Sequence, residues 1–138
     1  MPKITVSGIE EYIDKLEKLG TRGTGIMKMG VYDGAAVVAD QIRENLNSVV
    51  SESATGDLAK SLGISEMEVN RKSVSVNIGF SGYDRKGVAN QLKANVLESG
   101  SSKQQKRPFF RPAVNASRKK ATLKMIETIS EEINRIFK

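Results

Sequence analysis

Cysteine and histidine are both missing from this 138-residue chain. Without cysteine there is no disulfide and no thiolate metal site. Without histidine the chain lacks the commonest metal ligand and the side chain best matched to proton transfer near neutrality. Serine–histidine and cysteine–histidine nucleophile pairs are excluded, so catalysis would have to rest on carboxylates, lysine, tyrosine or a bound metal. The expectation is a protein with no enzymatic activity, no cofactor and no metal. Tryptophan is absent as well, and only four phenylalanines are present. The core must therefore be built from Ile, Val, Leu and Met.

Long apolar runs are also lacking. None approaches the roughly 20 residues needed to cross a bilayer, and the N-terminal MPKITVSG has no apolar segment of the signal-peptide kind. A soluble chain made in the cytoplasm, with no membrane partner, is expected. A chain of this length is expected to form one domain, residues 1–138, burying roughly two thirds of its unfolded surface.

One further absence is local. Between Lys103 and Lys124 there is no acidic residue, while Lys103, Lys106, Arg107, Arg111, Arg118, Lys119, Lys120 and Lys124 supply eight cations. The rest of the chain carries 14 basic and 16 acidic residues, so the overall charge of +6 is concentrated in this stretch. Such a patch can meet phosphates, an acidic protein surface or water alone.

Within the stretch, Pro108 and Pro112 bracket Phe109, Phe110 and Arg111. Proline fixes φ and removes a donor, so the corner is stiff. Pro112 can still occupy the first turn of a helix, where its missing N–H costs nothing. Two adjacent phenylalanines in so aromatic-poor a chain read as anchors, into the subunit's own core or into a neighbour. Lysine and arginine beside aromatics also suit single-stranded nucleic acid. Adjacent, proline-flanked rings make a hydrophobic clasp with Leu97 and Val114 more readily than a run of stacking platforms.

Periodicity gives an α+β chain, a small antiparallel sheet packed against a long central helix and a C-terminal helix. Lys3–Val6 reads as a strand. Ser7 with Glu10 forms a capping box opening a helix that Gly20 stops, with Ile9, Tyr12, Ile13, Leu16 and Leu19 on one face. The long helix runs from about Ile26 to Val49, with Met27, Val31, Ala35, Val38, Ile42 and Leu46 as its stripe. Gly30 and Gly34 inside it signal either close approach of another backbone or a weak first turn, and the expectation is the second, with the firm start near Asp33. A short turn follows at Leu58–Leu62, capped by Thr55 or Asp57.

Leu62–Val69 and Ser73–Phe80 form a hairpin. In the second strand Val74, Val76, Ile78 and Phe80 alternate with polar residues, and the phase change between Ile64 and Met67 in the first predicts a bulge. Val88–Lys93 reads as a helical turn, Ala94–Glu98 as a short strand, and Gly100–Gln105 as a loop mobile until bound. Pro112 opens the last helix, with Leu123, Ile126, Ile129, Ile133, Ile136 and Phe137 on one face. Cations at its start and Glu127, Glu131 and Glu132 later oppose the helix macrodipole, which hints at a partner for the positive end. Ser117 and Lys120 match an S-x-x-K spacing, but neither S-D-N nor K-T-G accompanies them.

Three stretches carry a family resemblance: Thr55-Gly-Asp-Leu-Ala-Lys-Ser61, the strand ending Val76-Asn-Ile-Gly-Phe80, and Leu97-Glu-Ser-Gly-Ser-Ser102 followed by Arg107-Pro-Phe-Phe-Arg-Pro-Ala113. With the flanking helices, the chain resembles the tail-component proteins of long-tailed bacteriophages and prophages, the head–tail joining or tail-completion group. The resemblance implies a structural virion protein of the neck that acts by subunit assembly. Its implied partners are further copies of itself in a ring, the portal or connector, and the tail-tube proteins, with the basic patch facing an acidic neighbour or DNA in the neck channel. Arg107, Pro108, Phe109, Phe110, Arg111 and Pro112 would form the assembly interface. Lys103, Lys106, Arg118, Lys119, Lys120 and Lys124 would form the basic patch. The alternative from charge alone is a small nucleic-acid-binding module.

Overall fold

The computed structural model of the chain describes residues 3–5, 18–50, 56–70 and 73–136. Its helices are α1 (Thr21–Val49), α2 (Asp57–Lys60), α3 (Asn90–Ser99) and α4 (Phe110–Ile136). Its strands are β1 (Lys3–Thr5), β2 (Leu62–Ile64), β3 (Glu68–Asn70) and β4 (Ser73–Phe80). The class is α+β, as the periodicities require. The helix expected over Ser7–Leu19 lies largely outside the described residues, as does Thr55.

Helix α1 starts at Thr21, well before Asp33, and the two glycines explain why. A Cβ on Gly30 would sit 2.7 Å from Ile129 Cγ1, and one on Gly34 would sit 2.5 Å from Met125 Cγ. The glycines mark close approach of α4, and the weak-start reading is wrong. Position numbers rise along α1 as they fall along α4, so the two helices run antiparallel. Thr128 Oγ1 donates to Asp33 Oδ2 across the seam at 2.7 Å. Helix propensity lost at the glycines is offset by burial of Ile129 and Met125.

The same seam corrects the expected face of the last helix. Its buried positions include Ala113, Ser117, Ala121, Met125, Ile129 and Ile133, small at one end and large at the other. Leu123 is 58% exposed, and Phe137 lies outside the described residues. Tight packing selects small side chains there, and an apolar-periodicity reading undervalues alanine and serine. Ser117 Oγ donates to the Ala113 carbonyl at 2.7 Å, which makes this serine a buried helix residue with its hydroxyl spent.

Strand β4 is the centre of the sheet. It pairs antiparallel with β1 on one side and with β2 and β3 on the other. Ile64 lies opposite Ile78 and Glu68 opposite Ser75. The first strand thus advances four residues while β4 advances three. One extra residue is the bulge expected from the phase change, and it divides the strand into β2 and β3. Ser65 bridges the gap, its N–H donating to the Asn77 carbonyl and its Oγ accepting from Asn77 N–H, both at 2.8 Å. Val74, Val76, Ile78 and Phe80 are buried in one core with Val31, Ala35, Ile42 and Leu46 of α1.

Residues Ala94–Glu98, expected as a strand, continue α3 as helix. Gly100 ends it at φ +79°, with its N–H donating to the Val96 carbonyl at 2.7 Å. A side chain at Gly100 would also meet the Lys106 amide nitrogen at 3.0 Å. The glycine both stops the helix and lets the chain fold back over it.

Gly25→Ala and Gly34→Ala should shift stability in opposite directions, measurable in urea melts. Nothing lies within 4 Å of a Cβ at Gly25, so alanine there gains about 0.5–1 kcal/mol of helix propensity. At Gly34 the methyl must displace Met125 and approaches the Ala121 carbonyl at 3.3 Å. Overpacking of this kind costs about 1–3 kcal/mol, more than the propensity gain. A stabilised Gly34→Ala protein would refute the close helix approach.

Candidate assembly groove

Helix α4 begins with backbone donors that no turn of its own can satisfy. Glu98, near the end of α3, satisfies them. Its carboxylate accepts the N–H of Phe109 at 2.8 Å, of Phe110 at 2.7 Å and of Arg111 at 3.1 Å. Pro112 has no N–H to satisfy, and the next donor, Ala113 N–H, reaches the Phe109 carbonyl at 3.3 Å. Each amide of the first turn is thereby accounted for. Burial alone would push the Glu98 carboxyl up. The three amide donors and the nearby Arg111 charge outweigh that and hold it below its ordinary value.

This carboxylate also answers the reversed helix charges. The cations at the start of α4 face a macrodipole of the same sign, and Glu98 supplies the missing anion from another element. It was not among the residues singled out from sequence, although it sits within the Leu97-Glu-Ser-Gly-Ser-Ser102 stretch. The available signal was its position as the last acidic residue before Glu127.

The rest of the corner is tied down as firmly. Arg107 N–H donates to the Leu97 carbonyl at 2.6 Å, and Arg107 Nη1 to the Val49 carbonyl at the end of α1 at 3.3 Å. Asn45 Nδ2 donates to the Phe109 carbonyl at 3.3 Å. The loop expected to be mobile is folded on itself, with Ser101 N–H donating to the Gln104 carbonyl at 2.8 Å.

The two phenylalanines separate. Phe109 is 1% exposed and belongs to the subunit's own core, so its ring offers no surface to a neighbour. Phe110 is half-buried. Both meet Phe80 at the end of β4, and the three rings pack edge to face with centroids 6.0, 6.4 and 6.1 Å apart. Such pairs add roughly 0.5–1.5 kcal/mol each beyond area burial. Pro108, Arg111 and Pro112 are exposed, as are Lys103, Lys106, Arg118, Lys119, Lys120 and Lys124.

Between α3 and α4 lies a groove of about 430 Å³. Phe109, Phe110, Ala94 and Val114 give it an apolar floor, and Glu98, Arg111 and Arg118 line it beside the amides Gln91, Asn95 and Asn115. Of the expected interface and basic-patch residues, it therefore gathers Phe109, Phe110, Arg111 and Arg118. Pro108, Pro112, Lys103, Lys106, Lys119, Lys120 and Lys124 do not line it. Other charged groups are spent elsewhere. Asp57 pairs with Arg85 at 3.2 Å instead of capping α2, and Asp84 pairs with Lys93 at 3.0 Å. Among the described residues, no group of three Asp or Glu could hold a metal ion, and no helix is long and apolar enough to cross a membrane.

A helix-capping carboxylate thus stands beside a groove lined by two arginines in an α+β fold. A family model described as "Bacteriophage HK97-gp10, putative tail-component" matches residues 10–100, and the chain belongs to that family of phage tail components. The matched region takes in Glu98 and stops before the Arg107–Ala113 corner. No curated protein and no solved structure matches the chain.

Glu98→Gln should destabilise the fold by about 1–3 kcal/mol, because one oxygen becomes an NH₂ facing a backbone donor. The pH dependence has a definite sign. A carboxyl held low in the folded state stabilises above its unfolded pKa, and that contribution disappears as pH falls through the folded value. Denaturant melts across the acidic range should show the wild type losing more stability than Glu98→Gln as pH falls. Parallel profiles would remove Glu98 as the cap.

Proposed function

We propose that the chain is a structural virion protein at the head–tail junction, working by subunit assembly and not by catalysis. The observation that carries this reading is the tail-component family match over residues 10–100. The groove adds to it. A half-buried aromatic, Phe110, beside two exposed arginines has the composition of an interface centre with a charged rim. A closed ring of identical copies needs such a patch to meet a different patch on the next copy. Portal or connector and tail-tube proteins are the neighbours above and below in this reading, with the exposed cations of α4 turned to an acidic neighbour or to DNA in the channel.

The alternative, a nucleic-acid-binding module, has less behind it. Its cations are exposed, but Phe109 is sealed in the core and Phe110 is held edge-on by two other rings, so neither ring beside the basic patch is a free stacking platform.

Phe110→Ala with Arg111→Ala tests the assembly role. A folded double variant, checked by circular dichroism and thermal melting, should leave heads and tails separate in electron micrographs of lysates. Wild-type numbers of complete particles from the folded variant would remove these residues from the interface.

A further inference from the structure

We infer that the groove between α3 and α4 seats an acidic amphipathic helix of a neighbouring protein. Carboxylates on that helix pair with Arg111 and Arg118, and its apolar side chains rest on Phe110 and Val114. The inference builds on the assembly reading and names the chemistry of the partner at this site.

Charge is the first ground. Glu98 is the one acidic residue lining the groove, and its carboxylate is occupied by three backbone N–H groups. Arg111 feels that charge, yet among the described residues neither Arg111 nor Arg118 has an ion pair. No acidic residue stands between Lys103 and Lys124 to neutralise them. An apolar floor with two guanidinium groups outside any ion pair among the described residues is complementary to an anionic partner that also carries apolar surface. A DNA duplex presents phosphates with its bases stacked inside, and a single strand meets Phe110 held edge-on by two other rings, so a protein segment fits better than a nucleic acid.

Spacing selects the partner's conformation. Arg111 and Arg118 are seven residues apart on one helix, about 10.5 Å along its axis. A facing helix presents carboxylates at i and i+7 with the same separation and on the same side, with positions i+3 and i+4 between them for apolar side chains. An extended strand covers about 10 Å in three residues, which puts the two carboxylates on opposite faces. A strand therefore reaches one arginine and misses the other. The groove's volume of about 430 Å³ lies within the roughly 300–1,000 Å³ typical of ligand sites, enough to receive the side chains of a helix lying along it.

The test uses the full chain and synthetic helical peptides, with binding followed by amide chemical shifts and fluorescence anisotropy. The probe peptide carries Glu at i and i+7, Leu at i+3 and i+4, and Ala and Gln elsewhere. A matched peptide carries Arg in place of Glu. Binding of the acidic peptide in the micromolar to roughly millimolar range, with shifts confined to α3 and the first two turns of α4, is expected. Arg118→Glu, at an exposed position, should weaken it by about tenfold, and the wild type should leave the Arg peptide unbound.

Unshifted groove amides at roughly millimolar acidic peptide, or an Arg118→Glu protein that binds as the wild type does, would overturn the inference. A short DNA duplex that shifts the groove amides when the acidic peptide does not would also overturn it, in favour of phosphate. Failure here alongside loss of tail completion in the Phe110 and Arg111 double variant would remove the acidic helix and leave the assembly reading intact. Full tail completion by that variant would remove Phe110 and Arg111 from the assembly interface, and with them the partner helix in this groove.

Discussion

A single carboxylate joins the end of α3 to the start of α4. Glu98 ends one helix and starts another, accepting three consecutive amides that would otherwise face a poorly solvated corner. Leaving even one buried donor unmet costs on the order of 1–3 kcal/mol, so the geometry of Phe109, Phe110 and Arg111 follows from where this carboxylate sits. Gly100 sets that position by stopping α3 and folding the chain back. The aromatic cluster, the direction of α4 and the walls of the groove all depend on it.

The second constraint is the seam between α1 and α4. Gly30, Gly34, Ala113, Ser117 and Ala121 keep it narrow, while Ile129 and Met125 lie against the glycines. A narrow seam leaves little room for alternative helix registers, because every shift brings a larger side chain against a backbone. The sheet lies against the α1 side of this pair through Val74, Val76, Ile78 and Phe80. The aromatic end of β4 reaches the corner through Phe80, so the sheet, the helix pair and the capping carboxylate converge on one point.

Much of this was readable from the residues, and what was missed has a common cause. The alternation in β4 and the bulge after Ile64 rest on local patterns. The glycines of α1 were read as a weak start near Asp33 because their close neighbours, Ile129 and Met125, lie far along the chain. Interactions that link distant segments were less legible. A local miss is Ala94–Glu98, read as extended although Gly100 is a helix-stop signal of the kind read at Gly20. The face of α4 was read correctly at Ile126, Ile129, Ile133 and Ile136, but apolar periodicity counts Leu123 and passes over Ala113 and Ser117, whose value lies in being small. Phe109 and Phe110 were rightly read as anchors, but adjacent residues on a helix start point in different directions, and only the fold decides which ring goes inward. Glu98 escaped notice since a lone glutamate shows no pattern; its role exists only once the helix start is brought to it.

The bulged side of the sheet has its own consequence. Its two short segments are out of step by one residue, and a serine side chain takes the place of a main-chain rung between them. A kinked, interrupted edge is a poor template for another chain to lengthen. Pairing of another chain along this bulged side is thereby disfavoured, while β1 bounds the sheet on the other side.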